Sequence, residues 1–203
     1  MQRESKAQLV ELDTTQSIWQ HFFTVAPLVL IGTREGAHYN LAPKHMATPL
    51  GQRNYFGFVC TPRHSTYRNV VKEEAFTVSF PRPDQVVLTS LAATARGEEC
   101  GLPKPVLTEL PTRRGERVDA LLLEDAYLML ECELDRIVDG FGDYSLIAGK
   151  IVRAVVDESA LRSSERDEQQ LIHEDPLLAF LAYGRFARIE ESYAFPYPRH
   201  FED

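Results

Sequence analysis

Cysteine is scarce. Cys60, Cys100 and Cys132 are the only three in 203 residues, too far apart for a C-x-x-C pair or a zinc site, so neither a disulfide framework nor a metal is expected. No secretory n-region or h-region precedes them, and a cytoplasmic protein is the expectation. Apolar runs are short: stretches such as APLVLI fall far below the roughly 20 residues that a membrane helix needs, which predicts no membrane partner. Basic charge is in deficit, with 22 Lys and Arg against 30 Asp and Glu for a net −8. That balance argues against nucleic acid, which requires Lys and Arg clustered over a broad face, but it permits a partner carrying one phosphate. Two signatures are missing as well. No G-x-G-x-x-G follows a strand, so the Rossmann dinucleotide fingerprint is absent, and no acid–base triad is visible.

What remains is 44% hydrophobic, enough for one core of ordinary size, and the whole chain, 1–203, is expected to form a single domain. Five segments read as strands: 27–34, 54–60, 75–80, 126–138 and 145–156. In the fourth, Leu128, Leu130, Cys132 and Leu134 alternate with Met129, Glu131, Glu133 and Asp135, predicting one apolar and one solvated face. Helices are expected over SIWQHFF, over TYRNVVKEE with Ser65 as cap, over PDQVVLTSLAATA, and over PLLAFLAY behind Asp175-Pro176. The Gly- and Pro-rich stretch 97–117 reads as a mobile surface excursion. Strands outnumber helices without regular alternation. The pattern favours a mainly β protein, an antiparallel barrel with peripheral helices.

The chemistry concentrates in TPRHSTYRNV, 61–70. A strand, a hydroxyl-rich turn and a helix in succession leave free backbone N–H groups where the helix dipole favours an anion. Arg63 adds a planar fork suited to phosphate oxygens, and Thr61, Ser65 and Thr66 add short donors. On these residues alone, a phosphate site and an ordinary capped helix beside a solvated arginine weigh equally, and His64 reads as a surface histidine. The stretch REGAHYNLAPKHMATPLG, 34–51, is extended and broken by Pro43 and Pro49. Asn40, the backbone around Ala42 to Met46, and Thr48 offer donors and acceptors to a planar heterocycle, with Lys44 and His45 adding positive potential; an irregular edge strand is the plainer alternative. In AFTVSF the Thr77 and Ser79 hydroxyls face either a ligand or water.

In these segments the chain resembles the flavin reductase-like family, the FMN-binding split barrels. The likeness lies in PLVLIGTREG, Asn40-Leu-Ala-Pro43, Thr48-Pro49-Leu50, Arg63-His-Ser-Thr66-Tyr67-Arg-Asn69 and Phe76-Thr-Val-Ser79, in that order. The resemblance implies an antiparallel split β-barrel, usually a homodimer with its sites at the subunit interface, that binds FMN and reduces it with NADH or NADPH. Carried over by position, Arg63 and Thr66, with Thr61, His64 and Ser65, would hold the FMN phosphate. Asn40, Ala42, Pro43, Lys44, His45, Met46, Ala47 and Thr48 would line the isoalloxazine, and Ser79 would close the pocket. Lys44 or His45 would stabilise the anionic reduced flavin. Two departures stand out: Lys44-His45-Met46 where many relatives carry Ser or Thr, and Gly142-Asp143-Tyr144 where many carry a histidine after G-D. A non-catalytic FMN carrier is the alternative implied function, and a flavin-free interaction barrel a third.

Overall fold

The structure is a computed structural model describing residues 8–94, 104–163, 165–182 and 184–197. Strands β1 (Val25–Pro27), β2 (Val29–Glu35), β3 (His38–Lys44), β4 (Ala47–Pro49) and β5 (Tyr55–Cys60) precede helix α1 (Ser65–Glu73). Strand β6 (Ala75–Phe80) and helix α2 (Val86–Leu91) follow, then β7 (Thr112–Arg114), β8 (Leu121–Leu123), and the long hairpin of β9 (Leu128–Phe141) and β10 (Tyr144–Val156). Helix α3 (Glu168–Glu174) leads into β11 (Leu177–Leu181) and β12 (Arg185–Ile189).

Seven strands pair antiparallel in the order β3-β2-β6-β9-β10-β5-β4. The two outermost strands, β3 and β4, are consecutive in the chain, separated only by His45 and Met46. Three Cα steps from Lys44 to Ala47 span at most about 11 Å, so the sheet must curl until its edges nearly meet. The result is a split barrel. Its interior holds Phe56, Phe58, Phe76, Val78, Leu130, Cys132 and Ile147, all buried, with Phe58 and Phe76 edge to face at 5.2 Å. Period-two alternation puts these residues on one face of each strand. Gly149 lets β10 approach that core closely, since a Cβ there would lie 2.5 Å from the Phe76 ring.

The predicted strands hold: 75–80 matches β6, and the others shift by a few residues at their ends. The helical expectations fare less evenly. SIWQHFF makes only a short 3-10 turn, Ile18–Gln20, with no buried residue, because nothing behind it buries an apolar face. The 83–95 helix contracts to a 3-10 turn and the six residues of α2, with Ala95 outside the described residues. PLLAFLAY is a strand over 177–181. Asp175-Pro176 ends α3 rather than starting a helix, and pairing on both sides, with β1 and β12, decides the conformation. The supposed surface excursion is anchored inward at two points of its described part, where Lys104 and Leu110 are buried; 97–103, with Cys100, lies outside the described residues.

The charged face of β9 departs from expectation at Glu131, only 1% exposed. Its carboxylate accepts from the backbone N–H groups of Glu116, Arg117 and Val118 at 3.1, 2.6 and 2.8 Å, and from Arg153 at 3.2 Å. Burial raises its pKa, but those donors and the Arg153 charge more than offset this, and the carboxyl sits below its ordinary value.

Candidate functional site at the split

The site begins with the loop from β5 into α1. Helix α1 starts one residue earlier than a Ser65 cap would place it: His64, at φ −82° and ψ 144°, is the N-cap, and no side chain caps the helix. The N–H groups of the first turn therefore stay available to an outside acceptor. Arg68 reinforces this polarity, donating to the Arg63 carbonyl at 2.6 Å and so holding the loop's oxygens toward itself. Thr61 is buried, and its hydroxyl accepts from the Arg63 N–H at 3.4 Å.

The inner face of α1 docks on the β2–β3 edge through polar groups. Asn69 donates to the Thr33 hydroxyl at 3.0 Å, and Asn40 donates to the Thr66 hydroxyl at 3.3 Å, all four side chains being buried. This joins the two stretches singled out in the sequence. Asn40, at the edge strand, touches Thr66, in the first turn of the helix. The carboxamide oxygen of Asn40 is buried and has no partner among the described residues. An unsatisfied buried acceptor costs about 1–3 kcal/mol, and this oxygen retains the capacity to accept from a donor outside the described residues.

The electrostatics agree. His64 is held below its ordinary pKa first by burial and then by the charges of Lys44, Arg68, Arg63 and Lys104. In a chain of net −8, four cations bear on one imidazole. Lys104 was not recognised in the sequence, where its setting between two prolines suggested only a loop. Its buried ammonium donates to the Leu41 and Ala92 carbonyls at 2.9 and 2.8 Å, beside Asn40. Arg68 was likewise missed, although its position five residues after Arg63 is the available signal.

The remaining predicted residues divide. His45, Met46, Ala47 and Thr48 line an open, mainly apolar trough of about 520 Å³ with Trp19, Val25 and Leu146. Ala42, Pro43 and Lys44 lead into it along β3. His45 does not supply positive potential: burial, then the Lys44 charge, lowers its pKa, and its ring stacks on Phe180 at 4.5 Å. Ser79 does not close the pocket. It is fully buried, and its hydroxyl accepts from the Leu123 N–H at 3.0 Å, while Thr77 donates to the Leu121 carbonyl at 2.5 Å. Both hydroxyls therefore face β8, neither ligand nor water. Ser65 is half-buried at the start of α1. Arg63 is exposed and ion-paired with Asp143 in the β9–β10 turn. No group of three or more His, Cys, Asp or Glu among the described residues could hold a metal, and none of the described helices is long and apolar enough to cross a membrane.

The described residues thus form a split barrel with an uncapped, cation-rich helix start beside its open seam, and comparison with known proteins supplies the family. Residues 23–185 match the flavin reductase like domain, and the chain belongs to that family. None of the curated proteins matches it. Among solved structures it is similar to an FMN-binding protein from Thermus thermophilus with bound 1-cyclohex-2-enone, at 22% identity and TM-score 0.73, covering 93% of this chain and 99% of that one. A flavoredoxin from Methanosarcina acetivorans aligns at 19% identity and TM-score 0.73, covering 94% and 96%. An NADH:FAD oxidoreductase from Streptomyces globisporus aligns at 18% identity and TM-score 0.68, covering 91% and 98%. At these identities the likeness establishes the fold.

Proposed function

We propose that this protein binds FMN at the split and acts as a flavin reductase, passing a hydride from NADH or NADPH to the flavin. The observation that carries the reading is the gathering of Lys44, Arg63, Arg68 and Lys104 about the uncapped start of α1, with the unpaired Asn40 oxygen beside it. The donor set fits a dianionic tail, and the orphan acceptor fits a ligand that also carries hydroxyl or N–H donors. When bound, FMN supplies the redox chemistry itself. The chain's own residues orient it. The first-turn N–H groups of α1 and Arg63 hold the phosphate, with the hydroxyls of Thr61, Ser65 and Thr66 beside it. Asn40 accepts from the ligand. Lys44 sets the positive potential at the edge of the ring along 42–48.

The trough is rimmed by large exposed apolar side chains: Trp19, 52% exposed, Val25, 70%, and Met46, 45%, with Phe22 edge to face on Trp19 at 6.0 Å and Phe23 next in the chain. In this reading a second copy of the chain covers them, giving a homodimer with the flavin near its interface and the 1–203 chain acting as one domain. The Phe195 and Tyr197 rings pack on each other at 4.7 Å and are largely exposed; Phe201 lies outside the described residues. Cys60 and Cys132 are buried free thiols, which suits a cytoplasmic, reducing setting. A second reading, an FMN-holding electron carrier reduced by a protein partner, is favoured by the similarity to a flavoredoxin.

Titration with FMN, followed by steady-state oxidation of NADH and NADPH with added flavin, tests these readings. Flavin binding with oxidation of either donor supports the reductase; binding with no oxidation leaves the carrier. Arg63→Ala should weaken FMN binding about tenfold or more, the contribution of a charge-assisted hydrogen bond. Unchanged affinity would show that the phosphate lies elsewhere.

A further inference from the structure

The turn between β9 and β10 reaches back over the loop that precedes α1. Gly140 and Gly142, at φ 102° and 63°, reverse the chain there, and the Ser145 hydroxyl donates to Asp139 at 2.6 Å to brace the base of the turn. The reversal carries the Asp143 carboxylate onto the Arg63 guanidinium. The pair bridges an open cleft of about 440 Å³, with Thr61, Pro62 and Tyr67 on one wall and Asp139, Tyr144 and Ser145 on the other. Thus the one planar fork in the cation cluster's leading loop already has a carboxylate partner. A carboxylate and a phosphate present the same pair of oxygens to a guanidinium, so one displaces the other.

We infer that Asp143 is a specificity-determining residue: it competes internally for Arg63, lowers affinity for the phosphate-bearing flavin, and keeps that flavin exchangeable rather than permanently held. The inference rests on the reading that Arg63 holds the phosphate. Both side chains are largely exposed, 73% and 70%, so the pair is weak and opens readily. When the phosphate enters, it replaces the carboxylate at Arg63 and leaves Asp143 as an unpaired negative charge beside a dianion. Both effects oppose binding. Neither acts on riboflavin, which has the same ring and ribityl chain without the phosphate.

The test is equilibrium titration of the wild type, Asp143→Asn, Arg63→Ala and the double variant with FMN and with riboflavin, together with the rate of FMN dissociation. Asp143→Asn should tighten FMN about three- to tenfold, slow its release in proportion, and leave riboflavin within about twofold. In the Arg63→Ala background the same substitution should tighten FMN by clearly less than it does with Arg63 present, because the competition for the shared partner is gone and only the screened repulsion between two exposed charges remains. An Asp143→Asn variant that binds FMN as the wild type does, or that shifts FMN and riboflavin equally, overturns the inference. So does an equal gain in the Arg63→Ala background, which would mean a diffuse charge effect. These failures differ from failure of the underlying reading, in which Arg63→Ala itself would leave FMN affinity untouched.

Discussion

The barrel interior and the split are built from adjoining stretches of the same strands, yet they obey opposite rules. Inside, Phe56, Phe58, Phe76 and Ile147 are buried to 1% exposure or less, and on the other face of β9 Glu131, the one buried carboxylate among the described residues, has four donors under the 116–118 loop. At the split, the Asn40 oxygen lacks a partner, α1 has no side-chain cap, and cations crowd one histidine. Folding tolerates such unsatisfied groups only in small number, because each costs stability. Their concentration in one place distinguishes a site from a scaffold. The two regions should therefore separate by experiment: interior changes remove stability, and split changes remove binding.

The largest effect is expected at Phe76→Ala. Removing this ring from between Phe58 and Gly149 should cost about 3–5 kcal/mol, read as a fall in the denaturation midpoint, with FMN affinity of the folded fraction retained. Loss of binding without loss of stability would break the comparison. Next comes Glu131→Gln, at about 1.5–3 kcal/mol, because an amide cannot accept from all four donors. Its pH dependence has a definite sign. The folded pKa of Glu131 lies below its unfolded value of about 4.3, so its contribution is complete above that pH and is lost as pH falls through the folded value. The gap between wild type and variant in urea midpoint should be full at pH 7 and shrink below about pH 4.

How much of this was legible beforehand follows the same division. The bounds of strand β6 could be read to the residue because the alternation of Phe76, Val78 and Phe80 with Thr77 and Ser79 is a local signal. The loop 61–66 could be read because turn chemistry and helix start are local too. Glu131 could not: its alternation with Leu130 and Cys132 signals a solvated face, and only the return of 116–118, brought over it by the fold, makes that face an interior. Thr77 and Ser79 were misjudged for the same reason, since β8 crosses above them. Lys104 joins the site through a contact 63 residues away, with the Leu41 carbonyl. The strand at 177–181 was hidden by Pro176, whose helix-starting preference is overruled by two partner strands distant in sequence. Long-range partners, in each case, carried the information that periodicity lacks.

On the split side, Asn40→Leu sharpens the contrast. The substitution removes both the hydrogen bond to Thr66 and the cost of the unpaired oxygen, terms of about 1 kcal/mol that oppose each other, so stability should move by less than about 1 kcal/mol. FMN affinity should fall about tenfold as the ligand loses its acceptor. Calorimetry of the free variant and a flavin titration separate the two numbers. A variant that unfolds readily yet binds normally would assign Asn40 to the scaffold instead.

The smallest effect belongs to His64. With its folded pKa held below the unfolded value of about 6.5, the native state resists a proton that the unfolded state accepts, so stability should decline as pH falls from about 6.5 toward the folded value. His64→Gln should flatten that stretch of the curve. Bound phosphate offsets the charges of Lys44, Arg68, Arg63 and Lys104 that oppose protonation, so FMN binding near pH 6.5 should draw a proton onto His64. Calorimetric titration in two buffers of different ionisation enthalpy measures that uptake, and it should be greater for the wild type than for His64→Gln. Equal uptake would mean that the phosphate does not reach the cations gathered about this histidine, and the split would then lose the electrostatic half of its contrast with the interior.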